Sequence, residues 1–488
     1  MRPGKLPWSA AILFLVPLVL MGTMVPSTAE EPTAPSLSLF AARDNITAYR
    51  YGKWVYLDLG TWITPTGGAF EIRASRPDYD SPVDLRQVDA QTGATIRDLP
   101  DDLLQGWFGL DRFFRMTVRT KGGKWVAGRT LGFCPNDGEH QRLNDTGPPN
   151  SVYPWVCGGH PLTRGMVWGI DDGWAVGTFG WYGGPELKLK PKKYTVTLKI
   201  RSEYATLLEV PKEDRKVTVG VTVKKGSGGY YAKGRPEKAF EGAPEPGVPD
   251  VDDPDPSTLP NLVAMPAWAF ETFSRKGRDY LAFAAMEWNE GPAPLVVEGF
   301  RRQGEDVMDA YQYFHDGDGA VGRASVGTFE YHGSGGHNHW HFEQFTRYSL
   351  LDASQTEVVR SKKQSWCLAP TDAVDLTTPG ANWNPGSLGL HTACGSESSL
   401  WVREILDVGW GDTYFQYYGG QAFNITNLPN GKYFVEVHVN PTGDLYETDT
   451  SDNVVLRQVK LKGKAGNRWA KWSPWHGIDT EEYYSYGY

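Results

Sequence analysis

Four sequence blocks recur in the same order in the two halves of this 488-residue chain. QGWFGLDRFFR (105–115) lies against HNHWHFEQFTR (337–347), and Cys134 and Cys157 match Cys367 and Cys394 at nearly the same offset. GWAVGTFGWYGG (173–184) matches GWGDTYFQYYGG (409–420), and KYTVTLKI (193–200) matches KYFVEVHV (432–439). Ordered self-similarity of this kind points to a duplicated unit and commits both halves to one fold. The blocks are rich in Thr, Val, Tyr and Trp at alternating positions, the pattern of half-buried strands, and helix-type runs are few. The expectation is an all-β chain of two tandem β-sandwich domains, each with its own disulfide, Cys134–Cys157 and Cys367–Cys394.

Composition sets the boundaries. Residues 1–29 read as a signal peptide: Arg2 and Lys5 give the positive start, 10–21 the apolar stretch, and Ser27-Thr28-Ala29 a small-residue cleavage site. Residues 30–230 are the first sandwich, with KWVYLDLGTWI (53–63) and KYTVTLKI as its clearest strands. Residues 231–258, crowded with Pro, Asp and Glu, read as a solvated, extended linker. Residues 259–465 are the second sandwich, and 466–488 form a Trp- and Tyr-rich tail, either a strap over that sandwich or a mobile end. No stretch after the leader is long enough to span a membrane. The net charge of -9 excludes a nucleic-acid footprint. The reading is therefore a secreted protein, in which cysteines without CxxC spacing form disulfides. Asn45, Asn144 and Asn424 stand in N-x-Thr sequons.

The chemistry concentrates in GGHNHWH (335–341). On an extended strand alternate side chains share a face. His337, His339 and His341 then converge, with Asn338 and Trp340 turned away. Imidazoles on one face suit copper, zinc, nickel or iron, and spacing alone does not choose. At the matching positions the first half has Gln105, Trp107 and Gly109, none of them a good ligand at this spacing. The fold does not need the histidines, so they serve a site, and residues 30–230 are expected to be metal-free.

Residues 259–463 resemble the catalytic domain of the lysyl oxidase family. EYHGSGGHNHWHFEQFTRYSLLD (330–352) is similar to its copper segment, and KKQSWCL (362–368) to its Lys-x-Ser-aromatic-Cys-Leu segment. GDTY (411–414) and VNPTGDLYETDTSDNVV (439–455) are similar to two further motifs, in family order. The resemblance implies that His337, His339 and His341 bind copper. It implies that Lys363 and Tyr414 form the cofactor lysine tyrosylquinone. Lys362 is the neighbouring alternative, but register with Cys367 favours Lys363. Asp412 is the implied general base, against a structural role starting a turn. His332 is either support for the ligands or a surface residue. A calcium site is implied at Glu447, Asp449, Asp452 and Asn453, completed by Asn261 and the Leu262 carbonyl. There the chain departs from the family, with Asn261 in place of an Asp and Asp452 in place of an Asn. HDGDG (315–319) reads as a plain turn.

The function expected is a secreted copper-dependent amine oxidase. It would oxidise primary amines or lysine-containing proteins with dioxygen to aldehyde, ammonia and hydrogen peroxide. The alternatives are a non-enzymatic exported metal- or matrix-binding protein, and a zinc hydrolase with Glu343 near its histidines.

Overall fold

The computed structural model describes residues 34–481, apart from 42–43, 105, 138–139, 144–147, 149–150, 180–183, 227–247, 302–306, 318, 333–338, 362–364, 386–393, 396–398 and 400. The signal peptide and the first part of the linker lie outside the described residues, as do Gln105, Asn144, His337, Lys362 and Lys363. The chain is all-β, with one short α-helix, Ser202–Leu207, and three 3-10 turns among the described residues. Six sheets are seen: strands from residues 36–225 build three, and strands from residues 262–472 build the other three.

The matching blocks sit in matching sheets. Leu110–Thr120, Lys193–Ile200 and Lys216–Lys225 pair in that order about the middle strand. Thr346–Leu351, Gly431–Val439 and Val454–Lys464 do the same. The register is the one the block alignment requires, since Arg115 faces Lys199 and Arg347 faces His438. Alternation explains the middle strands: in Lys193–Ile200 the buried positions are Tyr194, Val196, Leu198 and Ile200. A buried phenol needs a partner. Tyr194 donates to the Lys190 carbonyl at 2.8 Å and Tyr433 to the Pro429 carbonyl at 2.9 Å, each four residues upstream. Both disulfides form, each with Cα atoms 6.0 Å apart.

Three local features differ from the sequence reading. The run 53–63 is two strands, Trp54–Tyr56 and Thr61–Thr66, because Gly60 takes a φ of 60° and donates to Asp58 Oδ1 at 2.9 Å, turning the chain. The second part of the linker is largely exposed, as read, but it is also tied to a strand. Val251 N–H donates to Arg323 O at 2.8 Å, Arg323 N–H donates to Pro249 O at 3.0 Å, and Gly322 leaves room for the Val251 side chain. The tail begins as a strand, Asn467–Trp472, paired with Val454–Lys464. It then reaches the first half, where Trp475 meets the Tyr79 ring edge-on at 4.7 Å and His476 Nδ1 lies 2.8 Å from Asp80 Oδ1.

From Ala34 onward the described residues form one compact unit. Trp410 is part of the first half's apolar core and lies 6.4 Å from Trp155. Arg164 pairs with Glu290 at 2.7 Å, and Gly165 bridges to Asp375. The strand that ends at Tyr414 is thus anchored at its other end, Trp410, in the first half's core.

Candidate functional site

Gly319–His332 and His339–Phe342 form an antiparallel pair with His332 opposite His339 and Glu330 opposite His341. Trp340 is fully buried and packs on Tyr331, so His339 and His341 fall on the other face. The His339 and His341 rings lie 4.8 Å apart, and His332 stacks on His341 at 4.4 Å. The structure therefore brings His332 into the imidazole cluster. Ser365 Oγ lies 3.2 Å from His341 Nδ1 and 3.4 Å from His332 Nε2, and Glu343 Oε1 lies 3.3 Å from the same His332 nitrogen. Burial raises the Glu343 carboxyl pKa, and the His332 contact opposes that. Glu330, His332 and Glu343 together could hold a metal ion, with ligand atoms all within 4.8 Å of one another.

Tyr414 ends the strand Trp410–Tyr414, which lies between Arg278–Asn289 and Asp372–Ala373. Its hydroxyl accepts the Cys367 N–H at 3.0 Å and reaches the Cys367 carbonyl at 3.3 Å. Its ring lies 3.8 Å from that of Trp366. Burial, then the Asp412 charge, pushes the phenol pKa well above its usual value. Two contacts tie this tyrosine to the histidines. Trp366 and Phe342 exchange backbone hydrogen bonds of 2.7 and 3.1 Å, joining the Tyr414 side to the residue after His341. The Cys367–Cys394 disulfide does the same covalently, because the Cys394 carbonyl accepts the N–H of Trp340 at 2.9 Å.

Asp412 faces Glu287 across the strand pair. It accepts from Ala369 N–H at 3.3 Å and Thr371 Oγ at 3.2 Å. Glu287 and Glu404 are fully buried, and burial followed by the Asp412 charge raises both carboxyls well above the usual range. Glu404 accepts the Leu368 N–H at 2.9 Å, and Tyr348 donates to Glu287 at 3.5 Å. Sequence reading missed both. The signal was present for Glu287, a lone carboxylate in an otherwise apolar, buried strand (LAFAAMEW, 281–288).

The residues of the implied calcium site also lie together. Asn261 donates to Asp452 Oδ2 at 3.0 Å and accepts from Asp449 N–H at 3.1 Å. Glu447 accepts from Leu262 N–H at 3.1 Å and from the Asn453 amide at 2.7 Å. Asp452 Oδ1 and Asn453 Oδ1 are buried without a hydrogen-bond donor, the condition a hard cation would relieve. The turn between Val307–Asp316 and Gly319–His332 is closed by Gly319 N–H on Asp316 Oδ1 at 3.1 Å. At Gly109, which the block alignment sets against His341, a Cβ would lie 2.6 Å from the Phe133 carbonyl oxygen. No ligand side chain fits.

Comparison with known proteins bears on this region. Residues 321–470 match the lysyl oxidase family model. Mouse lysyl oxidase homolog 4 is 32% identical over 129 residues, 26% of this chain and 15% of that protein. Chicken lysyl oxidase homolog 2 is 30% identical over 155 residues, 30% and 18% respectively. Rat protein-lysine 6-oxidase is 31% identical over 140 residues, 28% and 29%. The chain thus spans less than a third of the length of these relatives. Among the described residues no helix is long and apolar enough to cross a membrane.

Proposed function

We propose that this chain is a secreted copper- and quinone-dependent amine oxidase of the lysyl oxidase kind, acting on primary amines or peptidyl lysine. The observation that carries the reading is the short path from imidazoles to phenol. Phe342, next to His341, pairs with Trp366, and Cys367, next to Trp366, holds the Tyr414 hydroxyl. Ser365, two residues after Lys363 in the sequence, sets its hydroxyl against His341.

His337, His339 and His341 would hold copper, a metal suited to imidazole donors, with His332 and Ser365 fixing ring orientation. When bound, copper supplies redox exchange with dioxygen, and the tyrosylquinone made from Lys363 and Tyr414 supplies an electrophilic carbonyl that no ordinary side chain offers. Trp366 sets the plane of the Tyr414 ring. Asp412 would take the proton from the carbon beside the amine, a role worth about 10²–10⁴-fold in rate. Burial pushes the carboxyls of Glu287 and Glu404, both within electrostatic reach of Asp412, well above the usual range. Glu447, Asp449, Asp452 and Asn453, with Asn261 and Leu262, would hold calcium and brace the second half. Export is supported by the leader-like start and by the two disulfides. The first half is read as a duplicated copy that lost the metal; the shared strand register and the crowding at Gly109 support this.

The test is peroxide release from an alkylamine or a lysine-containing peptide by protein produced with copper. Lys363→Arg and Tyr414→Phe should each abolish activity and quinone colour while copper stays bound. Full activity in either variant overturns the assignment. Copper content with neither colour nor peroxide in the wild type would favour a non-enzymatic metal-binding protein.

A further inference from the structure

The seven-stranded sheet of the first half has one face in the core and one in solvent. Its strands lie in the order Glu186–Leu187, Trp54–Tyr56, Asn45–Tyr51, Lys216–Lys225, Lys193–Ile200, Leu110–Thr120 and Trp125–Phe133. Alternate residues share a face. Ala48, Val55, Met116, Val196, Leu198 and Val219 are buried, so the residues between them are turned outward. The outward charge is almost all of one sign. Lys199 stands opposite Lys216 on one side and Arg115 on the other, a row of three cations on adjacent strands. Strands are about 4.8 Å apart, and like charges directly opposite each other destabilise a sheet. Arg119, Lys193 and Lys224 are exposed at outward positions of the same strands. Lys188 reaches the face as well, its Nζ 4.6 Å from the centre of the Trp54 ring. The only acids in the seven strands are Asp111 and Glu186. Asp111 lies at a break in the pairing, and Glu186, on an edge strand, accepts the Tyr56 hydroxyl. The chain as a whole carries -9, so this face runs against its overall balance.

Aromatic side chains share the face. Tyr51 lies opposite Trp54, and the same register continues to Tyr49 opposite Tyr56. Tyr49, Tyr51 and Tyr56 are 49%, 45% and 57% exposed, so each offers ring surface to a partner. Tyr49 stands beside Lys224, which joins the aromatic group to the cations. Thr195, Thr197, Thr218 and Thr222 occupy the middle of the face, with hydroxyls that donate and accept. The three chemistries together select the occupant. A sugar ring lays its C–H face on an aromatic ring, and its hydroxyls meet those of threonine. A carboxylate or sulfate borne on the sugar pairs with Lys or Arg. Six strand spacings make the face about 29 Å wide, room for several sugar rings. A bilayer surface calls for apolar side chains across the contact, and from Asn45–Tyr51 to Leu110–Thr120 the paired outward positions hold no aliphatic residue. We propose that this face binds an anionic polysaccharide. The choice of a polysaccharide over a nucleic acid rests on export; nothing in the binding rests on the oxidase reading.

The experiment titrates the full chain with polygalacturonate, with heparin and with neutral dextran, followed by calorimetry. At least one of the two anionic polymers should bind, more weakly as salt rises, and dextran should not. The ratio of the two affinities tells carboxylate from sulfate recognition, and binding to either supports the proposal. Arg115→Gln/Lys199→Gln/Lys216→Gln should weaken binding at least tenfold. Tyr51→Ala/Trp54→Ala, which changes no charge, should weaken it severalfold. The same charge is removed from an exposed turn of the second half by Arg275→Gln/Lys276→Gln/Arg278→Gln, which should leave affinity within twofold. Melting curves followed by circular dichroism confirm that each variant is folded, and the cation and aromatic variants test the face independently. No binding to either anionic polymer overturns the proposal, as does equal weakening by the remote triple variant. Full affinity in Tyr51→Ala/Trp54→Ala overturns it too. So does binding that is equally tight to a single-stranded oligonucleotide or to phosphatidylserine–phosphatidylcholine vesicles, since the face would then read charge alone.

Discussion

The two disulfides allow a controlled comparison. Their cysteines are separated by 23 and 27 positions, so by loop entropy each removal should cost nearly the same, about 3.4 kcal/mol for Cys134–Cys157 and about 3.6 kcal/mol for Cys367–Cys394. Their surroundings differ. Cys367 presents the N–H that holds the Tyr414 hydroxyl, and Cys394 presents the carbonyl that holds Trp340 between His339 and His341. Cys134 touches no imidazole of the cluster. Replacing each pair with alanine and following denaturant unfolding by tryptophan fluorescence should give similar stability losses. Copper affinity, measured by competition with a chelator of known strength, should fall about 10–100-fold for Cys367→Ala/Cys394→Ala, the size of effect seen when a ligand's supporting groups are lost. It should hold within about twofold, well below that range, for Cys134→Ala/Cys157→Ala. Equal copper loss in both double variants would mean that the disulfide acts only through global stability. The claimed coupling between the histidine strand and Tyr414 would then be wrong.

Other outcomes follow from the same contacts. Tyr414→Phe leaves the Cys367 N–H without its acceptor, which should cost about 1–3 kcal/mol in denaturant unfolding, apart from any loss of activity. For Glu404, the native carboxyl stays protonated well above 4.5 while the unfolded one ionises there, so this residue's contribution falls as pH rises past 4.5 and is intact below it. Glu404→Gln should therefore flatten the decline of stability with rising pH, read from unfolding curves between pH 4 and 8. A parallel profile would contradict it. Calcium should raise the melting temperature in a concentration-dependent way and chelation should lower it. Asp452→Ala should remove that response while leaving copper content intact.

Much of the fold was legible because strands announce themselves by alternation. His339 and His341 stand on a strand with Trp340 turned away from them, while His337 lies outside the described residues. The paired blocks carried the register of two sheets. The site was legible only in part. Tyr414, Asp412 and the histidines stand in recognisable local patterns, but Glu404 and Glu287 act through partners 36 and 61 residues away, Leu368 and Tyr348, which no local window links. His332 looked equivocal because its value depends on hairpin pairing that stacks it on His341. The second part of the linker read as solvated from its Pro and Asp content. Its binding to Arg323 depends on a glycine on a distant strand. The break in 53–63 hung on a single glycine conformation inside an otherwise convincing strand.

The central claim is that an amine and a phenol fuse beside the imidazoles. Peptide mass mapping of protein produced with and without copper tests it most directly. The account predicts that copper-grown protein yields a covalently joined pair of peptides, one containing Lys363 and one containing Tyr414, while copper-free protein yields them separately. Recovery of both as separate, unmodified peptides from copper-loaded protein that still oxidises amines would contradict it.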